Sequence, residues 1–235
     1  MPATAEAPLV RERKFVSDRA DPAAAAALLR AFASPDPDYP EGELESVYFD
    51  TPLLDSWRQK ADGDARKRKV RLRWYRGPAP ADGRREAWLE VKDRVGSARE
   101  KERRRADCDA DFLERAPLSD PGWSALLARL LGETGLPVGG GLVPTVAIRY
   151  RRSRLVCAAT GSRLAVDRAV SCPRANAALL PFAGPLDCPC TVVEAKSADA
   201  WDWPFGPDLV RMGFRLESFS KYGYFLERIL QGGFR

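Results

Sequence analysis

The chain has 235 residues, 45% hydrophobic side chains, a formal net charge of +5 and no histidine. Length and apolar content suffice for a substantial packed core and exclude wholesale disorder. No apolar run approaches the ~20 residues of a membrane-spanning helix, and the missing imidazole excludes Ser-His-Asp and Cys-His catalysis, histidine-ligated zinc and a histidine general base.

The opening, MPATAEAPLVRERKF, lacks the basic-then-apolar order of a signal peptide. Residues 1–9 read as a disordered tail before a single domain over 10–235, in a soluble, cytoplasmic protein. Period-two alternation marks a first strand at 11–16. Asp21-Pro22 then caps and initiates a helix through AAAAALLRAFA. After the loop SPDPDYPEG, strands follow at 44–50 and 68–76, then the loop GPAPADG, then strands at 86–94 and 100–107. GWSALLARLLGE predicts a second amphipathic helix, and GLPVGGG a loop. Strands at 143–152 and 162–168 precede CPRANAALLPFAGPLDCPC, read as loop with one short helical turn. A strand at 190–196 and a helix in YGYFLERILQ close the chain. Eight strands, mostly close neighbours in sequence, predict hairpins and an antiparallel sheet.

The basic residues cluster in DARKRKVRLRWYR and AREKERRR, which points to an anionic partner or to a solvated basic face. The five cysteines include no Cys-x-x-Cys pair. Cys188-Pro189-Cys190 is too closely spaced for a zinc knuckle without other ligands, so reduced structural thiols are expected.

Parity along the strands is informative. Val70, Leu72 and Trp74 oppose Arg71, Arg73 and Tyr75, while Leu164 and Val166 oppose Arg163 and Asp167. Three strands place Glu and Lys two residues apart on one face: Glu12 and Lys14, Glu90 and Lys92, Glu194 and Lys196. Around 101–105, Lys101, Arg103 and Arg105 share a face. One sheet face is therefore apolar and the other charged. That pattern allows an open sheet with one wet face. It equally allows a barrel whose apolar side is covered by helices and whose charged interior holds an anion, because unpaired buried charge is costly.

The ordered motifs ERKF, SVYFDTP, RKVRLRWY, WLEVKDR, KERRR, VPTVAIRYRR, RLAVDR, VVEAKSA and FSKYGYF resemble the VTC domain from about residue 10 to 230. This is the polyphosphate polymerase catalytic domain within the triphosphate tunnel metalloenzyme (CYTH-like) superfamily. The resemblance implies an α+β fold: an eight-stranded antiparallel β-barrel with helices packed outside. It implies transfer of the terminal phosphoryl group of ATP onto polyphosphate with Mn²⁺ or Mg²⁺. By the same resemblance, Lys14, Arg71, Arg73, Lys92, Arg152, Arg163 and Lys221 are catalytic. Lys101, Arg103, Lys196 and Ser220 bind substrate, with the register at Lys101 and Arg103 left open, and Glu194 holds the metal. The partners implied are ATP with polyphosphate or triphosphate, with no direct nucleic acid, and any membrane association comes through a separately encoded membrane protein.

Two positions depart from the pattern: Val10 stands where the superfamily has the first Glu of Glu-x-Glu-x-Lys, and Ser218 where polymerases often carry Lys. The residue set suits phosphoryl transfer in its own right, since that chemistry needs charge neutralisation and positioning more than covalent help. Glu12 and Glu90 serve as ion-pair partners or as ligands. Hydrolysis of triphosphate or polyphosphate and a non-catalytic polyanion-binding module are the competing functions. A basic nucleic-acid-binding barrel would need stacking platforms, for which Trp74, Trp88, Trp201 and Trp203 are available, although Trp74 falls on the apolar face.

Overall fold

The computed structural model describes residues 11–232 apart from 65, 79, 96–97, 135–137, 139 and 198–202. The expected tail at 1–9, Val10 and Trp201 lie outside the described residues. The first elements are β1 (Arg11–Ser17), α1 (Pro22–Arg30), β2 (Ser34–Pro35), β3 (Glu41–Asp50), α2 (Asp55–Ala61) and β4 (Arg66–Tyr75). Then come β5 (Arg84–Val95), β6 (Ala98–Asp109), α3 (Ala110–Arg115), α4 (Gly122–Thr134), β7 (Val143–Val156) and β8 (Arg163–Ala175). The last are β9 (Leu186–Cys188), β10 (Thr191–Ser197), α5 (Gly206–Arg211), β11 (Arg215–Leu216) and α6 (Lys221–Leu230).

The architecture is α+β, with a mostly antiparallel sheet, but the expected closed barrel of eight strands is not observed. The sheet has 11 strands in the order β11-β1-β10-β8-β7-β3-β4-β5-β6, with β2 on β7 and β9 on β8. Among the described residues the hydrogen bonding does not return from β6 to β11, so the sheet is not closed. Closure requires ladders along both edge strands, and β11 offers only two residues, paired with Phe15 and Val16 of β1. All eight expected strands are present as the long members. The three additional strands have only two or three residues each, too short for alternation to reveal.

The chain forms two compact units. The first comprises the described residues up to Gly42, with Arg151–Val170 and Cys188–Phe219; the second comprises Glu43–Tyr150, Ser171–Asp187 and the residues from Ser220. In the first unit, Phe15, Leu164, Val166, Val193 and Ala195 present an apolar sheet face to Ala25 and Leu29 of α1 and Leu209 of α5. Helix α1 starts where expected because the Asp21 side chain accepts from the Ala23 amide and Pro22 fixes the first turn. In the second unit, Val47, Phe49, Val70, Leu72, Trp74, Leu89 and Val91 pack under Trp123, Leu127 and Leu130, one stripe of α4. Each fully buried side chain of this size contributes about 1.5–3 kcal/mol of transfer free energy.

One carboxylate lies among these apolar residues. Glu45 of β3 is fully buried and ion-paired with Arg76 at 2.7 Å, Arg149 at 2.9 Å and Arg174 at 2.6 Å. Cys188 and Cys190 form a disulfide across Pro189, with Cα atoms 5.2 Å apart. The expectation of reduced thiols throughout is thus corrected, since the turn between β9 and β10 brings the pair within bridging range. Cys108, Cys157 and Cys172 are free. Burial pushes the Cys108 thiol up to about 11 and the Cys172 thiol up to about 12, which leaves them inert packing groups. Among the described residues no helix is long and apolar enough to cross a membrane.

Candidate functional site

The charged sheet faces of the two units each gather a cluster of site residues. In the second unit the register of β4, β5 and β6 turns strand parity into a grid. Lys69, Lys92 and Lys101 lie opposite one another in one row, Arg71, Glu90 and Arg103 in the next, and Arg73, Trp88 and Arg105 in the third. At the centre, Glu90 is buried and meets four cations. Arg71 donates to it from Nε at 2.7 Å and also through Nη2. Lys101 lies at 3.1 Å, Arg103 at 3.6 Å and Arg73 at 3.9 Å. Burial alone would raise the Glu90 carboxyl, but Arg71, Arg73 and Lys101 hold it well below the usual carboxylate range. Across the grid, Lys69, Arg71, Arg73, Lys92, Lys101, Arg103 and Arg105 bring seven positive charges against the one negative charge of Glu90. Partial burial lowers the Lys101 ammonium, and Arg71 and Arg103 add to this against the pull of Glu90.

Aromatic groups hold the guanidiniums in place. Arg71 donates from Nη1 to the Tyr48 hydroxyl at 3.0 Å, and Arg73 donates from Nε to Ser46 Oγ at 3.1 Å. Burial pushes the Tyr48 phenol up, and Arg71, Arg73 and Lys69 outweigh it, bringing the group down to about 8. Tyr48 stacks on Tyr222 with ring centroids 4.9 Å apart, and Tyr222 donates to Asp50 at 2.7 Å. The FSKY motif explains this local order. Ser220 caps α6 by accepting from the Gly223 amide and also accepts from Lys69 Nζ at 2.9 Å. Lys221 then lies over the Tyr150 ring at 4.7 Å, and Tyr222 turns into the core.

In the first unit the register pairs Lys14 with Glu194, Glu12 with Lys196, and Lys196 with Arg163. Arg152 donates to the buried Asp167 at 2.7 Å and to Glu194 Oε2 at 3.0 Å. Lys14 Nζ donates to the Phe219 carbonyl at 3.0 Å and lies 3.8 Å from Glu194 and 3.6 Å from Glu12. Lys196 lies 3.6 Å from Glu194 and 3.8 Å from Glu12. Arg163 is exposed at the start of β8. Four cations, Lys14, Arg152, Arg163 and Lys196, thus share this face with three carboxylates, Glu12, Asp167 and Glu194.

Among the described residues no group of three or more Asp, Glu, Cys or His side chains converges to hold a metal ion. Glu194 and Glu12 supply hard oxygen donors on adjacent strands. This donor set fits a Mg²⁺ or Mn²⁺ ion that brings most of its ligands as phosphate oxygens and water.

Sequence reasoning missed Tyr48, Ser46, Lys69 and Tyr150. Tyr48 and Ser46 alternate with Val47 and Phe49 on β3, and Lys69 shares the parity of Arg71 and Arg73, so parity carried to the strand ends finds them.

The sheet carries an apolar face under helices and a charged face rich in guanidiniums. The VTC domain family matches residues 34–225, and the chain belongs to it. Among solved structures, a candidate adenylate cyclase from Bacillus halodurans aligns over 92% of this chain and 94% of its own, at 11% identity and a TM-score of 0.49. A conserved hypothetical protein from Pyrococcus furiosus aligns over 91% and 98%, at 14% identity and a TM-score of 0.41. No curated protein matches the sequence. The family assignment rests on the domain match.

Proposed function

We propose that this chain is a phosphotransferase that moves the terminal phosphoryl group of ATP onto a polyphosphate chain with Mn²⁺ or Mg²⁺, in the cytoplasm. The observation that carries this reading is the charge count in the second unit: seven cations and one carboxylate in the three paired rows of β4, β5 and β6. Like charges set directly opposite, as in Lys69–Lys92–Lys101, destabilise a sheet, and a polyanion offsets that cost. Membership of the VTC family supports phosphate chemistry.

In this reading Arg71 and Arg73 clamp phosphate oxygens with planar guanidinium forks, and Lys92, Lys101, Arg103 and Lys221 add positive charge where negative charge develops. Ser220 positions Lys69. In the first unit, Lys14, Arg152, Arg163 and Lys196 bind phosphate, and Glu194, with Glu12 beside it, holds the metal. A divalent cation there supplies charge neutralisation for the phosphates. A terminal oxygen of the polyphosphate attacks the γ-phosphorus, the bond to the β–γ bridging oxygen breaks, and ADP leaves with that electron pair.

The test incubates purified protein with γ-labelled ATP and Mn²⁺ and separates the products by chain length. Label in polyphosphate is the expected result. Label only in free phosphate assigns a hydrolase, and no turnover with tight polyphosphate binding assigns a binding module.

A further inference from the structure

We propose that Trp88 is the base-stacking residue of this site, so that the phosphate donor is recognised as a nucleotide and not as a bare polyphosphate; the inference rests on the phosphate-binding reading above. Trp88 is half-buried on the charged face of β5, whereas Trp74 and Trp123 are fully buried and Trp203 packs in the core of the first unit. In register it lies between Arg73 and Arg105, beside the Arg71–Glu90–Arg103 row. The Arg103 guanidinium sits over its ring at 3.7 Å from the centroid. Its indole N–H donates to Glu86 at 3.1 Å, and Glu86 also pairs with Arg105 at 2.6 Å, so the ring orientation is fixed at both the edge and the face.

Side-chain exposure rises along β5 from 2% at Glu90 to 43% at Glu86. Trp88 stands between them, two residues or about 6.6 Å from the cationic centre. That separation is the reach of a ribose. With phosphates on the half-buried Arg71 and Arg73 guanidiniums, the nucleoside projects toward the exposed end and meets the indole. A purine extends the existing guanidinium–indole stack, which is the arrangement by which aromatic and Arg side chains hold bases without reading their sequence.

Calorimetric titration of the full chain with Mg²⁺ and two probes, the non-hydrolysable β,γ-imido analogue of ATP and inorganic tripolyphosphate, tests the assignment. Trp88→Ala weakens nucleotide binding by about 5- to 150-fold and changes tripolyphosphate binding by no more than about twofold, while Trp88→Phe restores most of the loss. Equal weakening of both probes assigns Trp88 to holding Arg103, and no change in either places the base elsewhere; both overturn the proposal. Wild-type protein that binds tripolyphosphate while Trp88→Ala leaves nucleotide affinity intact fails the Trp88 assignment alone. Wild-type protein that binds neither probe fails the phosphate-binding reading and this inference with it.

Discussion

Glu90 is the residue around which the basic face of the second unit is organised, because it alone faces four cations there among the described residues. Glu90→Gln therefore has opposite effects on folding and on binding. It removes the ion-pair partner of the half-buried Arg71 from a buried position and lowers stability by about 3–5 kcal/mol, while polyphosphate binding is retained or tightened. Thermal melts with and without tripolyphosphate check both, as a larger ligand-induced rise in Tm than in the wild type. Arg71→Ala should cost about 2–5 kcal/mol in phosphate or transition-state binding. Arg115→Ala, which breaks an exposed pair with Asp111 on α3, should change kcat/KM hardly at all. Tyr48 adds a pH dependence. Its phenol is depressed from 10.0 to about 8, so the ionised form stabilises the fold fully above pH 10, and this contribution is lost as pH falls through 8. The same ionisation adds a negative charge beside Arg71, so tripolyphosphate affinity should fall as pH rises past about 8, and Tyr48→Phe should flatten that fall.

At the scale of elements, β4, β5 and β6 set three lysines side by side, Lys69 with Lys92 and Lys92 with Lys101. Lys92→Met should shrink the stabilisation by tripolyphosphate, which reaches about 2.7 kcal/mol at 100 times Kd for a ligand bound only by the folded state. A stabilisation equal to that of the wild type would place Lys92 outside the phosphate site. The same strands show what the sequence makes legible. Val70, Leu72 and Trp74 against Arg71 and Arg73 is a pattern read without a structure, because side chains alternate strictly along a strand. Helices α2, α3 and α5 escaped because six or seven residues hold too few turns for a period to emerge, and α2 takes its support from outside itself. The Asp50 carboxylate accepts from the Ser56 and Trp57 amides across the turn. Glu45 was illegible for a different reason. Parity assigns it to the apolar face with Val47 and Phe49, and only the arrival of Arg149 and Arg174 from distant strands makes a buried carboxylate tenable there. The bridge between Cys188 and Cys190 depends on the turn at Pro189, which spacing alone does not specify.

At the scale of the molecule, eight long strands and their antiparallel neighbours were legible, and closure of the sheet was not, because closure depends on edges such as the two-residue β11. The site residues split by unit: Arg71, Arg73, Lys101 and Arg103 gather on Glu90, and Lys14, Arg152 and Lys196 gather on Glu194. In the proposed function the second of these carboxylates serves catalysis, which makes the chain an enzyme and not a holder of polyanions. Glu194→Gln tests it most directly, with turnover of ATP in Mn²⁺ and affinity for tripolyphosphate measured on the same preparation, and circular dichroism confirming the fold. Loss of turnover with binding retained is the expected result, since removing one negative charge from a basic site does not weaken its attraction for a polyanion. A Glu194→Gln protein that turns over ATP at the wild-type rate would contradict the catalytic role.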